Sequence, residues 1–105
     1  MAAPTLHADG NDYAKLSGDL TLMTVTPLAR RGRCLIGAAE QSWCVDMQAV
    51  ERVSSAAVAL ILDWLSYCEQ RGVALKLANV PSRLQPIIAI SDLQSLFDPL
   101  VADTD

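Results

Sequence analysis

The chain has a single histidine and no Cys-x-x-C pair, and those two absences remove most of the chemistry that a short sequence can advertise. A Cys-His couple, a Ser-His-Asp triad and a tetrahedral zinc set all need imidazole or closely spaced thiolates, whereas His7 stands alone in the first strand region. Cys34, Cys44 and Cys68 are widely separated and read as reduced core or near-core thiols. No glycine-rich phosphate loop of the Walker kind occurs, so no nucleotide cradle is expected. No metal, cofactor or catalytic residue is expected, and the paired acids Asp46 and Glu51 read as loop and surface groups.

Long apolar runs and basic excess are missing too. The N-terminal Met-Ala-Ala-Pro-Thr-Leu lacks the basic-then-apolar order of a signal peptide. The longest strongly apolar run, Ala56 to Leu62, falls far short of the ~20 residues that span a bilayer. Eight Lys and Arg face twelve Asp and Glu, for a net charge of -4. That balance argues against nucleic acid held through its phosphates and against direct contact with an anionic membrane. The clustered Arg30, Arg31 and Arg33, beside a turn-like Gly32, read as a solvated helix end or as a small contact patch for an acidic partner.

What the chain does have is apolar surface. Hydrophobic residues make up 51% of 105 positions and charged residues 19%, enough to fold one domain over residues 1–105 and to leave a surplus for a partner. Thr5 to Ala8 and Tyr13 to Leu16 alternate around Asp9-Gly10-Asn11-Asp12, which predicts an opening hairpin. Ser17-Gly18-Asp19 is expected to break its second strand. Pro27 to Ile36 has helical spacing, with Thr26 as N-cap and Pro27 at the first helical position. Trp43 to Met47 predicts a strand, followed by an eight-residue polar connection. A central helix is expected from near Ser55 to about Gln70, stopped by Arg71-Gly72. Ala74 to Ala78 predicts a strand, Ser82 to Ser91 a third helix, and Leu93 to Val101 a short apolar closing segment. The order strand-strand-helix-strand-helix-strand-helix describes an α/β fold, a mixed sheet covered by helices.

The central helix carries the functional expectation. On a helical wheel Ala57, Val58, Leu60, Ile61, Trp64, Leu65, Tyr67 and Cys68 fill an arc of roughly 200°, about twice the usual core stripe, so the helix should pack against more than the sheet. The other sector, Ser55, Ala59, Leu62, Asp63, Ser66 and Glu69, mixes small and apolar groups with acids. Ser54 or Ser55 is expected to cap the helix. A hydroxyl there is also where the helix dipole would stabilise a phosphate, which makes Ser55 a candidate regulatory group.

Four motifs in order resemble the STAS family of bacterial anti-sigma-factor antagonists and transporter regulatory domains. Leu16-Ser17-Gly18-Asp19-Leu20 is similar to L-S-G-E-L, and Val45-Asp46-Met47 to the hydrophobic-Asp-Leu strand end. Val53 to Leu62 resembles I-D-S-S-G-L-G-V-L-L, and Ala78 to Phe97 resembles the closing pattern that ends in G-L-x-x-L-F. Laid on the antagonist motif, the phosphorylated second serine falls on Ala56, the aspartate on Ser54 and the glycine on Ala57, while Asp92 replaces the late glycine. The helix start is more similar to V-D-T-G-G-L-A-L-L-L of the MlaB-like branch, STAS subunits of Mla-type phospholipid-transport ABC complexes, with the threonine on Ser55. That resemblance implies a non-catalytic cytoplasmic subunit, peripheral to the inner membrane through the complex. It would bind the MlaF-like ATPase, reach the permease indirectly and support transport that maintains outer-membrane lipid asymmetry. The implied contact residues are Ser54, Ser55, Ala56, Ala59, Leu62 and Ser66, with the Ser55 hydroxyl both capping the helix and meeting the partner. The alternative is a phospho-regulated antagonist using Ser54 or Ser55.

Overall fold

Alternating apolar residues build the sheet, and the computed structural model describes it within residues 3–101. Strands β1 (Thr5–Ala8) and β2 (Tyr13–Asp19) form the antiparallel hairpin. β2 runs parallel to β3 (Ser42–Arg52), which runs parallel to β4 (Ala74–Ala78), so the strands stand side by side in chain order. Parallel neighbours need long crossovers. Helix α1 (Val25–Ala38) supplies the first and α2 (Ser55–Arg71) the second. Helices α3 (Leu84–Ile90) and α4 (Gln94–Phe97) follow, then a 3-10 turn at Asp98–Leu100, and Val101 bridges back to Leu77. The expected fold class and element order are therefore those observed, with α4 added at the end.

One face of the sheet makes the core. Ala14, Leu16, Trp43, Val45, Met47, Leu75 and Leu77 are buried against Leu28 and Ile36 of α1 and against α2. Residues of opposite parity on β1 to β4, His7, Lys15, Gln48 and Lys76, are exposed. The wide apolar arc of α2 has the reason anticipated for it, because that helix packs against α1, α3 and β4 together. Trp64 sits at the centre, fully buried and edge-on to Trp43 with ring centroids 5.2 Å apart.

Several boundaries differ from expectation. β2 does not break at Ser17-Gly18-Asp19 but runs through Asp19, because Gly18 takes φ 89 at an irregularity in the register with β3. An added Cβ at Gly18 would lie 2.6 Å from the Ala3 carbonyl oxygen, so glycine is required there twice over. The polar connection expected after Met47 is mostly strand. β3 continues to Arg52, since Ala49, Val50 and Arg52 still pair with β2 after β4 has ended opposite Asp46. Pairing on one side only leaves Gln48 and Ala49 exposed, which hides the strand in the sequence.

Helix α1 starts at Val25, so Thr26 is not its cap and Pro27 is its third residue, still in the first turn where no amide partner is lost. Gly32 is neither a turn nor a helix end. It is buried mid-helix where the Trp64 indole crosses, which places the three arginines along a packed helix. α3 is shorter than expected, with Ser82 and Arg83 in the preceding turn. Cys34 is exposed rather than near the core. Asp92, standing where the STAS pattern has glycine, occupies the left-handed region at φ 57, which a short polar side chain tolerates.

Candidate functional site

Ser54, two residues beyond the end of β3, has extended backbone, φ -141 and ψ -176, and so is placed to cap α2. Its Oγ accepts from the Ala56 amide at 3.1 Å and donates to the Leu20 carbonyl at 3.2 Å. One hydroxyl thus ties the start of α2 to the exit of β2. Ser55 is already inside the helix, exposed, and does not cap it. The expectation that its hydroxyl serves both purposes is corrected, because a cap needs the extended backbone that Ser54 has.

The exit of β2 holds a feature that sequence reasoning missed. In the turn between Leu20 and α1, the Thr24 Oγ1 lies 3.1 Å from both the Asp19 and Thr21 carbonyl oxygens and accepts from the Thr21 amide at 3.0 Å. The knot leaves Leu22 80% and Met23 88% exposed. The signal was an apolar pair inside a strand-to-helix turn, where polar residues are the rule.

Ser55, Ala59, Leu62 and Ser66 are spaced four, three and four residues apart and so share one face of α2. Ser55, Ala59 and Ser66 are exposed, and Leu62 is half-buried against the core. Ala56 is 6% exposed and lies beneath this strip rather than in it. Beside the strip, Arg33 of α1 holds Asp63 with two guanidinium nitrogens, Nε to Oδ2 at 3.0 Å and Nη2 to Oδ1. The pair is solvent-screened and acts as a positioned charge pair rather than as a source of stability. It ends a groove of about 230 Å³ between the helices, floored by Ala29, Ala59 and Leu60. The Trp64 Nε1 donates to the Ala29 carbonyl at 3.4 Å under that floor.

Asp46 lies on the open sheet face and is a fastener. Its carboxylate accepts from Tyr13 Oη, Asn79 Nδ2 and the Gln48 amide, each at 2.9 Å. Those bonds, that of Asn79 foremost, hold its pKa below the usual carboxylate value despite partial burial. Among the described residues no group of three His, Cys, Asp or Glu is placed to hold a metal ion, and no helix is long and apolar enough to cross a membrane. The α2 strip offers small hydroxyls and methyls, and the turn that follows Leu20, which Ser54 ties to the start of α2, carries two protruding apolar side chains.

Residues 6–101 match the family model described as "Mlab, STAS domain". The chain belongs to the STAS family. Solved STAS structures share its fold. Similar ones include the anti-sigma factor antagonist SpoIIAA in its unphosphorylated form, 17% identical with a TM-score of 0.69 over 98% of this chain and 90% of that one. A sulfate transporter family protein from Wolinella succinogenes is 16% identical, with a TM-score of 0.66 over 86% of this chain and 74% of that one. An anti-sigma factor antagonist from Mycobacterium paratuberculosis is 14% identical, with a TM-score of 0.67 over 99% and 87%. No curated protein matches the sequence significantly. Ala56, on which the resemblance to the antagonist motif lays the phosphorylated serine, has no hydroxyl and is nearly covered. The one exposed hydroxyl at this helix start belongs to Ser55.

Proposed function

We propose that this STAS protein is a non-catalytic docking subunit that binds the ATPase of an Mla-type ABC phospholipid transporter and supports its assembly and activity. STAS domains are typically regulatory or interaction modules. The observation that carries the reading is the start of α2, which bears the Ser55, Ala59, Leu62 and Ser66 strip and is tied through Ser54 to Leu20, two residues before the exposed Leu22 and Met23. Exposed apolar side chains of this size and a strip of small residues suit a partner helix, which can approach closely and bury both. The family model's own description favours the MlaB-like branch. In this reading the protein sits in the cytoplasm and reaches the inner membrane only through the complex.

The test is co-purification with the ATPase from the native host. Ser55→Arg and Met23→Asp should each lower recovery at least roughly tenfold, since each would bury an uncompensated charge. Ser55→Ala should leave recovery unchanged. Wild-type recovery of both charged variants would refute this placement of the interface. A second reading, a signalling antagonist, is favoured by the fold shared with SpoIIAA and the mycobacterial antagonist. It predicts a phosphate on Ser55 in the intact mass of the native protein and an anti-sigma factor or its kinase in place of transporter subunits.

A further inference from the structure

A second concavity lies away from the α2 strip. It is a cleft of about 590 Å³ at the carboxyl ends of β2 and β3, walled on the far side by the turn between β4 and α3. Asp19, Glu51, Arg52, Ser82 and Arg83 line it. Asp19 is the only charged or polar residue of the core among the described residues, at 3% exposure. Its backbone carbonyl faces Thr24, but its carboxylate has no hydrogen-bond or ion-pair partner among the described residues. Arg33 with Asp63 is the one ion pair there. Arg52 is the register partner of Asp19 across the parallel strands. Arg83 is held at the rim by its own hydrogen bond to the Glu51 carbonyl at 3.2 Å.

No buried side-chain oxygen among the described residues lacks a partner, so the Asp19 carboxylate, in a residue otherwise covered, keeps its opening to the cleft that it lines. A carboxylate accepts and does not donate, so its complement is a donor with positive charge. A bare cation would be repelled by the two guanidiniums, and a bare anion by Asp19 and Glu51. The four charges of the lining sum to zero, and the matching ligand has both signs. We propose that this cleft binds a small zwitterion, with its ammonium or guanidinium on Asp19 and its carboxylate or phosphate between Arg52, Arg83 and the Ser82 hydroxyl. The cavity lies within the range of small-molecule sites, roughly 300–1,000 Å³. Its polar lining suits a metabolite-sized charged ligand. The site stands on its own geometry and does not depend on the docking role of α2.

The experiment is amide NMR titration of the full chain with phosphoethanolamine and L-arginine as zwitterions, and with ethylamine and inorganic phosphate as single-charge controls. A zwitterion should produce saturable shifts at Asp19, Arg52, Ser82 and Arg83, with a Kd on the order of 1 mM or below. Asp19→Asn, which keeps the shape and removes the charge, should weaken binding about tenfold or more, and Arg83→Gln should do likewise. If Asp19→Asn does not fold by circular dichroism, the exposed Arg83→Gln and the controls decide. The proposal is overturned by the absence of saturable shifts with either zwitterion, by wild-type affinity in Arg83→Gln or in a folded Asp19→Asn, or by phosphate or ethylamine alone binding as well as the zwitterion.

Discussion

Two glycines of α1 should respond in opposite directions to the same substitution. In an open helix, replacing glycine by alanine stabilises by up to about 1 kcal/mol, because alanine loses less backbone freedom on folding. Gly37 is such a position, with nothing within 4 Å of an added Cβ. At Gly32 the added Cβ would lie 2.1 Å from Trp64 Nε1 and 2.4 Å from its Cε2. Trp64 cannot yield, since it is fully buried, edge-on to Trp43 and bonded to Ala29. The helices must separate or the indole must tilt. Overpacking of this kind costs about 1–3 kcal/mol, and the lost indole hydrogen bond adds about 1 kcal/mol. Set against the propensity gain, Gly32→Ala should destabilise by roughly 1–3 kcal/mol, while Gly37→Ala should stabilise by roughly 0.5 kcal/mol near the helix end. Urea unfolding followed by tryptophan fluorescence reads both directly. Gly32→Ala with a midpoint at or above wild type would refute the close crossing of α1 and α2.

The remaining predictions concern the cap, one carboxylate and the thiols. Ser54→Ala should lower stability by about 1 kcal/mol, since it frees the Ala56 amide and unties Leu20, whereas Ser55→Ala should stay within about 0.5 kcal/mol; chemical denaturation of the two variants distinguishes them. Asp46 has a depressed folded-state pKa, so its contribution is present above the ordinary carboxylate value, about 3.9, and is lost as pH falls through the lower folded value. The stability gap between wild type and Asp46→Asn should therefore be full above about pH 5 and shrink steadily below it, as measured by urea midpoints over a pH series. A thiol reagent at pH 8 should modify exposed Cys34 first and half-buried Cys44 more slowly, and reach Cys68 only on unfolding. Burial raises the Cys44 pKa and pushes that of Cys68 up to about 11. Modification followed by intact mass gives the order.

Local pattern alone determined much of this protein. Period-two alternation in Thr5–Ala8, Tyr13–Leu16 and Ala74–Ala78, and a long apolar arc over Ser55–Arg71 stopped by glycine, are signals carried by adjacent residues, and they led to the mixed sheet and its crossovers. The candidate strip on α2 was legible for the same reason, because residues spaced by helical turns share a face whatever surrounds them. The remainder depended on partners distant in the chain. Gly32 resembled a turn until Trp64 crossed it. Gln48 to Arg52 resembled a loop because a strand paired on one side need not alternate. Ser54 became the cap, rather than Ser55, through the path of the chain leaving β3 and the bond to Leu20. The exposure of Leu22 and Met23, the burial of Ala56 and the cleft around Asp19 are matters of what lies alongside. Apolarity and charge are written in each residue, but whether a group is covered, paired or left facing solvent is decided only when strands and helices from different parts of the chain meet.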